Sequence, residues 1–152
     1  MKKLILTLLL AVCIVTVAGA QDYKTGIGLR LGLYNGLTIK HFFDGNDAIE
    51  GLLTTRWGGF EVVGLYEVHH PAFNTSGLKW YYGGGANVGF YGASYPGGSE
   101  TVVGIDGVLG MEYSFKSAPI NLSLDWKPQL NLVGYSHFFG DGLALSIRYI
   151  LK

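Results

Sequence analysis

Thiols, prolines and long apolar runs are all scarce in this chain, and each scarcity removes a class of protein. One cysteine, Cys13, occurs among 152 residues. It sits in the N-terminal apolar stretch, so the remainder has no thiol for a disulfide, a zinc–thiolate site or a cysteine nucleophile. Beyond residue 20 no segment reaches the roughly 18 uninterrupted apolar residues that a membrane-spanning helix needs. Charge is sparse too, with 11 Lys and Arg against 11 Asp and Glu. No basic patch is interleaved with aromatics, so nucleic acid is not an expected partner. With four prolines and 24 glycines, the composition suits many strands joined by tight turns. Glycine then stands where a barrel wall bends or inner side chains crowd.

The first 20 residues read as a secretory leader. Met1-Lys2-Lys3 is the positive start, residues 4–17 are the apolar core, and Ala18-Gly19-Ala20 is a cleavage signal ahead of Gln21. Cleavage is expected after Ala20. An uncleaved anchor would need a longer apolar run. A lipoprotein leader ending at Cys13 would need a small residue where Val12 stands. Removal of Lys2 and Lys3 leaves 9 basic against 11 acidic residues, a net charge of −2. Residues 21–152 are then one domain.

That domain alternates. In residues 102–115, Val103, Ile105, Leu109, Met111, Tyr113 and Phe115 share one face, while Asp106, Glu112 and three glycines or small residues share the other. Successive strand side chains point to opposite faces, so one face is apolar and the other polar. The same pattern recurs over residues 26–34, 37–43, 48–57, 60–68, 78–91, 120–130 and 143–151. That makes eight strands, all but residues 37–43 of about 9 to 14 residues, long enough to cross a bilayer at a tilt of roughly 45°. Asn35-Gly36 reads as a two-residue hairpin turn, residues 44–47 and 58–59 as turns, and residues 69–77 and 92–100 as longer connections. Pro128 cannot donate a ladder bond and marks a bulge or strand end. The expected fold is all-β: an eight-stranded, antiparallel, up-and-down transmembrane β-barrel with its apolar face toward lipid.

The inward positions of such a barrel collect Arg30, Lys40, Glu50, Glu61, Glu67, Lys79, Asp106, Glu112, Asp125, Lys127 and Arg148, six acids and five bases. Charges of both signs in a narrow lumen can pair, and an eight-stranded barrel is just wide enough for its side chains to fill. A charge-paired, plugged interior is therefore expected rather than an open pore. The outward aromatics Trp57, Trp80, Tyr82, Tyr113, Phe115, Trp126 and Tyr149 lie mostly near strand ends, where membrane-interface girdles form. A soluble lipocalin-like barrel would reverse the faces.

Sites of chemistry are harder to find. Gly83-Gly84-Gly85 lacks the following Lys and Ser/Thr of a phosphate cradle. His69-His70 are adjacent strand or turn residues whose side chains diverge, and no third ligand has a telling spacing, so no metal is expected. Ser136-His137 could contribute to a hydrolase site, but nothing in the spacing selects it. No cofactor and no catalytic residue is indicated.

The segments Leu122-Ser123-Leu124-Asp125-Trp126-Lys127-Pro128 and Leu143-Ala144-Leu145-Ser146-Ile147-Arg148-Tyr149 resemble the closing hairpin of small Gram-negative outer-membrane β-barrel proteins. With the leader and the alternation, the resemblance covers nearly the whole chain. It implies a bacterial outer-membrane location, outer-membrane lipid as surroundings, and a C-terminal strand read by the barrel-assembly machinery. Here Tyr149 is followed by Ile150-Leu151-Lys152, a departure from the usual terminal aromatic. Members of the group vary in function, and the function expected here is a non-enzymatic, porin-like membrane barrel with a structural or surface-contact role and an unidentified extracellular ligand at most. The alternatives are a narrow pore or transporter for small solutes, or a lipid A-modifying barrel enzyme.

Overall fold

The computed structural model describes residues 24–44, 46–56, 58–75, 77–96, 98–115, 117–134 and 136–151. The leader, its cleavage point and Trp57 lie outside these residues. The strands are β1 (Thr25–Gly32), β2 (Asn35–Asp44), β3 (Asp47–Arg56), β4 (Gly59–Pro71) and β5 (Leu78–Tyr91). They continue as β6 (Glu100–Ser114), β7 (Ile120–Trp126), β8 (Gln129–Val133), β9 (Phe138–Phe139) and β10 (Leu143–Leu151). All pairings are antiparallel. Each of β1 to β6 pairs with the next. β10 then returns to β1, from Thr25 opposite Leu151 to Gly32 opposite Ala144, and closes the sheet.

The ten segments make eight walls. β6 keeps one register against β7 and most of β8, with Leu109 opposite Trp126 and Asp106 opposite Gln129. Pro128 is the interruption: its carbonyl accepts from Gly107 N at 2.9 Å, and with no N–H it cannot return the bond. On the other side Lys127 N donates to Gly142 O at 3.0 Å, where the partner wall passes from β9 to β10. Pro128 therefore marks a strand end between β7 and β8 rather than a bulge against β6, and residues 131–142 form an extended hairpin.

Alternation decides which side chains enter. Ile27, Leu29, Leu37, Ile39, Leu53, Val62, Ile105, Leu124 and Ile147 are all exposed on the outer wall. Their strand neighbours Arg30, Lys40, Glu50, Glu61 and Arg148 are fully buried. The inside is thus more polar than the outside, the reverse of a water-soluble domain.

Two connections differ from expectation. β4 runs on to Pro71, so the connection to β5 is residues 72–77, not 69–77. Thr75 N donates to Ala72 O at 3.0 Å across Phe73 and Asn74, which both hold positive φ (52° and 50°). Asn35-Gly36 is not the turn between β1 and β2. The chain bends at residues 33–34, and the Asn35 side chain accepts from Gly32 N at 2.9 Å. That bond fixes Asn35 as the first strand residue. A Cβ on Gly36 would lie 1.9 Å from Leu53 O, so glycine is needed there for close backbone approach.

A charged barrel interior as candidate functional site

The inward face of every wall delivers polar side chains to the lumen, and they sort into layers. At mid-height, β1 supplies Arg30 and β7 supplies Asp125. They form a two-armed pair at 2.8 and 2.6 Å, and Tyr81 from β5 donates its hydroxyl to the same carboxylate at 3.1 Å. Beside it Arg148 of β10 pairs with Glu50 of β3. Its remaining donors reach Thr38 Oγ1 (3.0 Å), Asn121 Oδ1 (3.0 Å) and Ser123 Oγ (2.8 Å). Thr38 in turn donates to Glu50 at 2.5 Å. A guanidinium presents a rigid fork of donors, which suits it to hold several walls at once.

Toward the end that carries both termini, Lys40 is shared among three carboxylates. Its Nζ lies 2.7 Å from Glu67, 3.5 Å from Glu112 and 3.9 Å from Glu50. It also stands 4.0 Å above the centre of the Tyr81 ring. His69 joins this layer, its Nε2 3.3 Å from Glu112 and 3.6 Å from Glu67. Its ring stacks on Tyr81 at 4.8 Å and tilts against Phe42 at 4.6 Å.

Toward the opposite end, Lys127 Nζ meets Asp106 at 2.7 Å and Glu61 at 3.5 Å. Asn87 donates to Asp106 at 2.6 Å. Gln129 and Tyr91 both donate to Glu61, at 2.8 and 2.5 Å. Above this layer Tyr91, Tyr95, Val102 and Phe139 form an apolar cluster. Outside it, Arg56 and Asp141 pair at 2.9 Å on the rim. The Arg56 guanidinium holds the Asp141 carboxyl below its ordinary value of 3.8. Burial pushes the Tyr34 phenol up, against the opposing charge of Arg56, which sits 4.6 Å over its ring.

Ten of the eleven inward charges named from the sequence are buried and ion-paired: Arg30, Lys40, Glu50, Glu61, Glu67, Asp106, Glu112, Asp125, Lys127 and Arg148. Lys79 differs. It is half-buried, with Nζ 5.3 Å from the Phe42 ring centre, because it stands one residue from the start of β5. His69 is the residue sequence reasoning placed wrongly, in a solvated connection. The two-residue step from Glu67 to His69 was the signal, and the following proline obscured it.

Of the outward aromatics, Trp80, Tyr82, Phe115 and Trp126 are exposed, and Tyr113 and Tyr149 half-buried. Trp80, Tyr82 and His70 stack at 4.9 to 5.7 Å, and Tyr113 meets Phe115 edge-on at 4.9 Å. Ser136 and His137 are exposed at the loop end, the latter edge-on to Phe139 at 4.7 Å. Among the described residues no group of three or more His, Cys, Asp or Glu is placed to hold a metal ion. Comparison with protein-family models, curated proteins and solved structures found no match to this chain.

Proposed function

We propose that the chain is an integral outer-membrane barrel whose outer wall faces lipid and whose interior is a fixed, non-conducting plug. Its role is structural or one of surface contact rather than catalytic. The observation that carries this is the inverted polarity: Leu, Ile, Val and Phe cover the outside while four bases and six acids are sealed within. In water an apolar surface of this extent would cost about 25 cal/mol for every Å² left exposed. Against acyl chains it costs nothing.

The outer aromatics support the same reading. Trp80 and Tyr82 lie toward the terminal end, while Phe90 and Phe60 meet at 5.2 Å toward the loop end. At about 3.3 Å per residue and a tilt of about 40°, the ten steps from Trp80 to Phe90 span about 25 Å, the height of an outer-membrane apolar band. Both chain ends and the connections at residues 45–46, 72–77 and 115–119 share the periplasmic side in this arrangement, and residues 33–34, 57–58, 92–99 and 134–142 face outward.

Planar-bilayer recording separates plug from pore. The purified barrel should insert without unitary current steps. Stable steps of one size would replace the plug with a narrow pore and show that the Arg30–Asp125 and Arg148–Glu50 layers open.

A further inference from the structure

We propose that the loop-end mouth of the barrel is a binding pocket for a small hydroxyaromatic molecule, which Tyr95 of the protein's own loop occupies as a built-in substitute. Tyr95 is 3 % exposed, although its loop neighbours Ala93, Ser94, Pro96 and Ser99 are all exposed. Two backbone bonds aim it inward, Tyr95 N to Gly92 O at 3.1 Å and Gly98 N to Tyr95 O at 2.8 Å. The ring stacks on Tyr91 at 4.3 Å with 10° between planes and meets Phe139 at 6.5 Å. Val102 completes the apolar wall.

The floor is the informative part. Lys127 Nζ donates to Gln129 Oε1 at 3.3 Å, Gln129 Nε2 donates to Asn131 Oδ1 at 3.0 Å, and Asn131 Nδ2 donates to the Tyr95 hydroxyl oxygen at 2.7 Å. Lys127, Gln129 and Asn131 are each 1 % exposed. Donation along these three links runs one way, from the ammonium toward an acceptor oxygen above the amide. Lys127 also meets Asp106 at 2.7 Å and Gln129 Nε2 also donates to Glu61 at 2.8 Å, which fixes both side chains in place. A stopper needs apolar contact alone. A ring-shaped slot ending in a fixed, polarised donor selects an aromatic that bears an oxygen. Residues 92–99 lie between β5 and β6, so the ring can leave without breaking a ladder bond of either strand.

The pocket is independent of what surrounds the outer wall, and gel mobility of the unboiled protein reports folding separately. The probe is p-cresol, the tyrosine side chain cut at Cβ, titrated into the micelle-held barrel and followed by the Asn131 side-chain amide NMR resonance. Toluene is the control for partition into detergent. Wild type should shift saturably with p-cresol and not with toluene. Tyr95→Ala should tighten p-cresol by about tenfold or more, since the competing ring is gone. Tyr95→Phe, which keeps the packing and loses one neutral hydrogen bond, should tighten it about fivefold. If Tyr95→Ala fails to fold, Tyr95→Phe carries the comparison. Absence of saturable binding by the wild type, with or without binding by the variants, would make Tyr95 a permanent stopper and overturn the proposal. Equal shifts with toluene would overturn the part assigned to Asn131.

Discussion

Arg148 ties three other strands of the barrel to β10. Its fork joins β10 to Glu50 on β3, Thr38 on β2, and Asn121 and Ser123 on β7. Replacing it with methionine would leave the Glu50 carboxylate buried without that partner, and breaking a buried pair costs about 3–5 kcal/mol. Urea unfolding of Arg148→Met in lipid vesicles should show a loss of that size. The double variant Arg148→Met, Glu50→Gln should recover most of it, because the uncompensated charge is gone. A single variant as stable as wild type would mean the layer contributes shape and no net pairing energy. The rim pair Arg56–Asp141 should matter far less, since the Asp141 side chain is 44 % exposed and exposed pairs contribute under about 1 kcal/mol. Because Arg56 depresses the Asp141 carboxyl from 3.8, its contribution is complete above that value and fades as pH falls below it. Asp141→Asn should therefore lose about a few tenths of a kcal/mol at pH 7 and less at pH 2. A larger loss at pH 2 than at pH 7 would contradict the sign.

Among the elements, β5 is the most constrained by backbone contact. A Cβ on Gly85 would lie 1.8 Å from Gly64 O, and one on Gly83 1.9 Å from Tyr66 O. Gly64, on the neighbouring strand opposite Ala86, faces outward with nothing within 4 Å of its Cβ position. Gly85→Ala should lower refolding yield and cost about 1–3 kcal/mol or more as the walls part, while Gly64→Ala should fold as wild type. Equal behaviour of the two would place the role of the glycine run elsewhere than in close approach. This asymmetry was half legible in the sequence. Strict alternation assigned residues 83 and 85 to the inner face, and likewise the charges, because a period of two is a local property. Pairing partners are not local. Nothing in the order of residues put Arg30 against Asp125, 95 positions away, or Glu67 and Glu112 around Lys40. His69 and Tyr95 escaped for a related reason. His69 stands two residues before Pro71, which hides the continuing alternation from Glu67, and Tyr95 lies beside Pro96 in a glycine-rich stretch that reads as a loop, where only the closed barrel shows it facing inward.

At the scale of the whole molecule, the wall and the lumen have exchanged the roles they hold in a soluble domain. Closure of β10 on β1 gives each of β1 to β7 and β10 a partner strand on both sides, with the two-residue β9 pairing with β8 alone, and backbone pairing of this kind is what a strand-built membrane protein requires. The polar lumen then satisfies itself, and the apolar wall is left to its surroundings. Those surroundings can be read from Trp57, Trp80 and Trp126, the three tryptophans of the chain; Trp80 and Trp126 are exposed on the outer wall. The direct measurement is tryptophan fluorescence after reconstitution into vesicles whose acyl chains carry bromine. The account predicts strong quenching relative to unbrominated lipid. Unquenched emission from a protein that stays monomeric in water without detergent would contradict it.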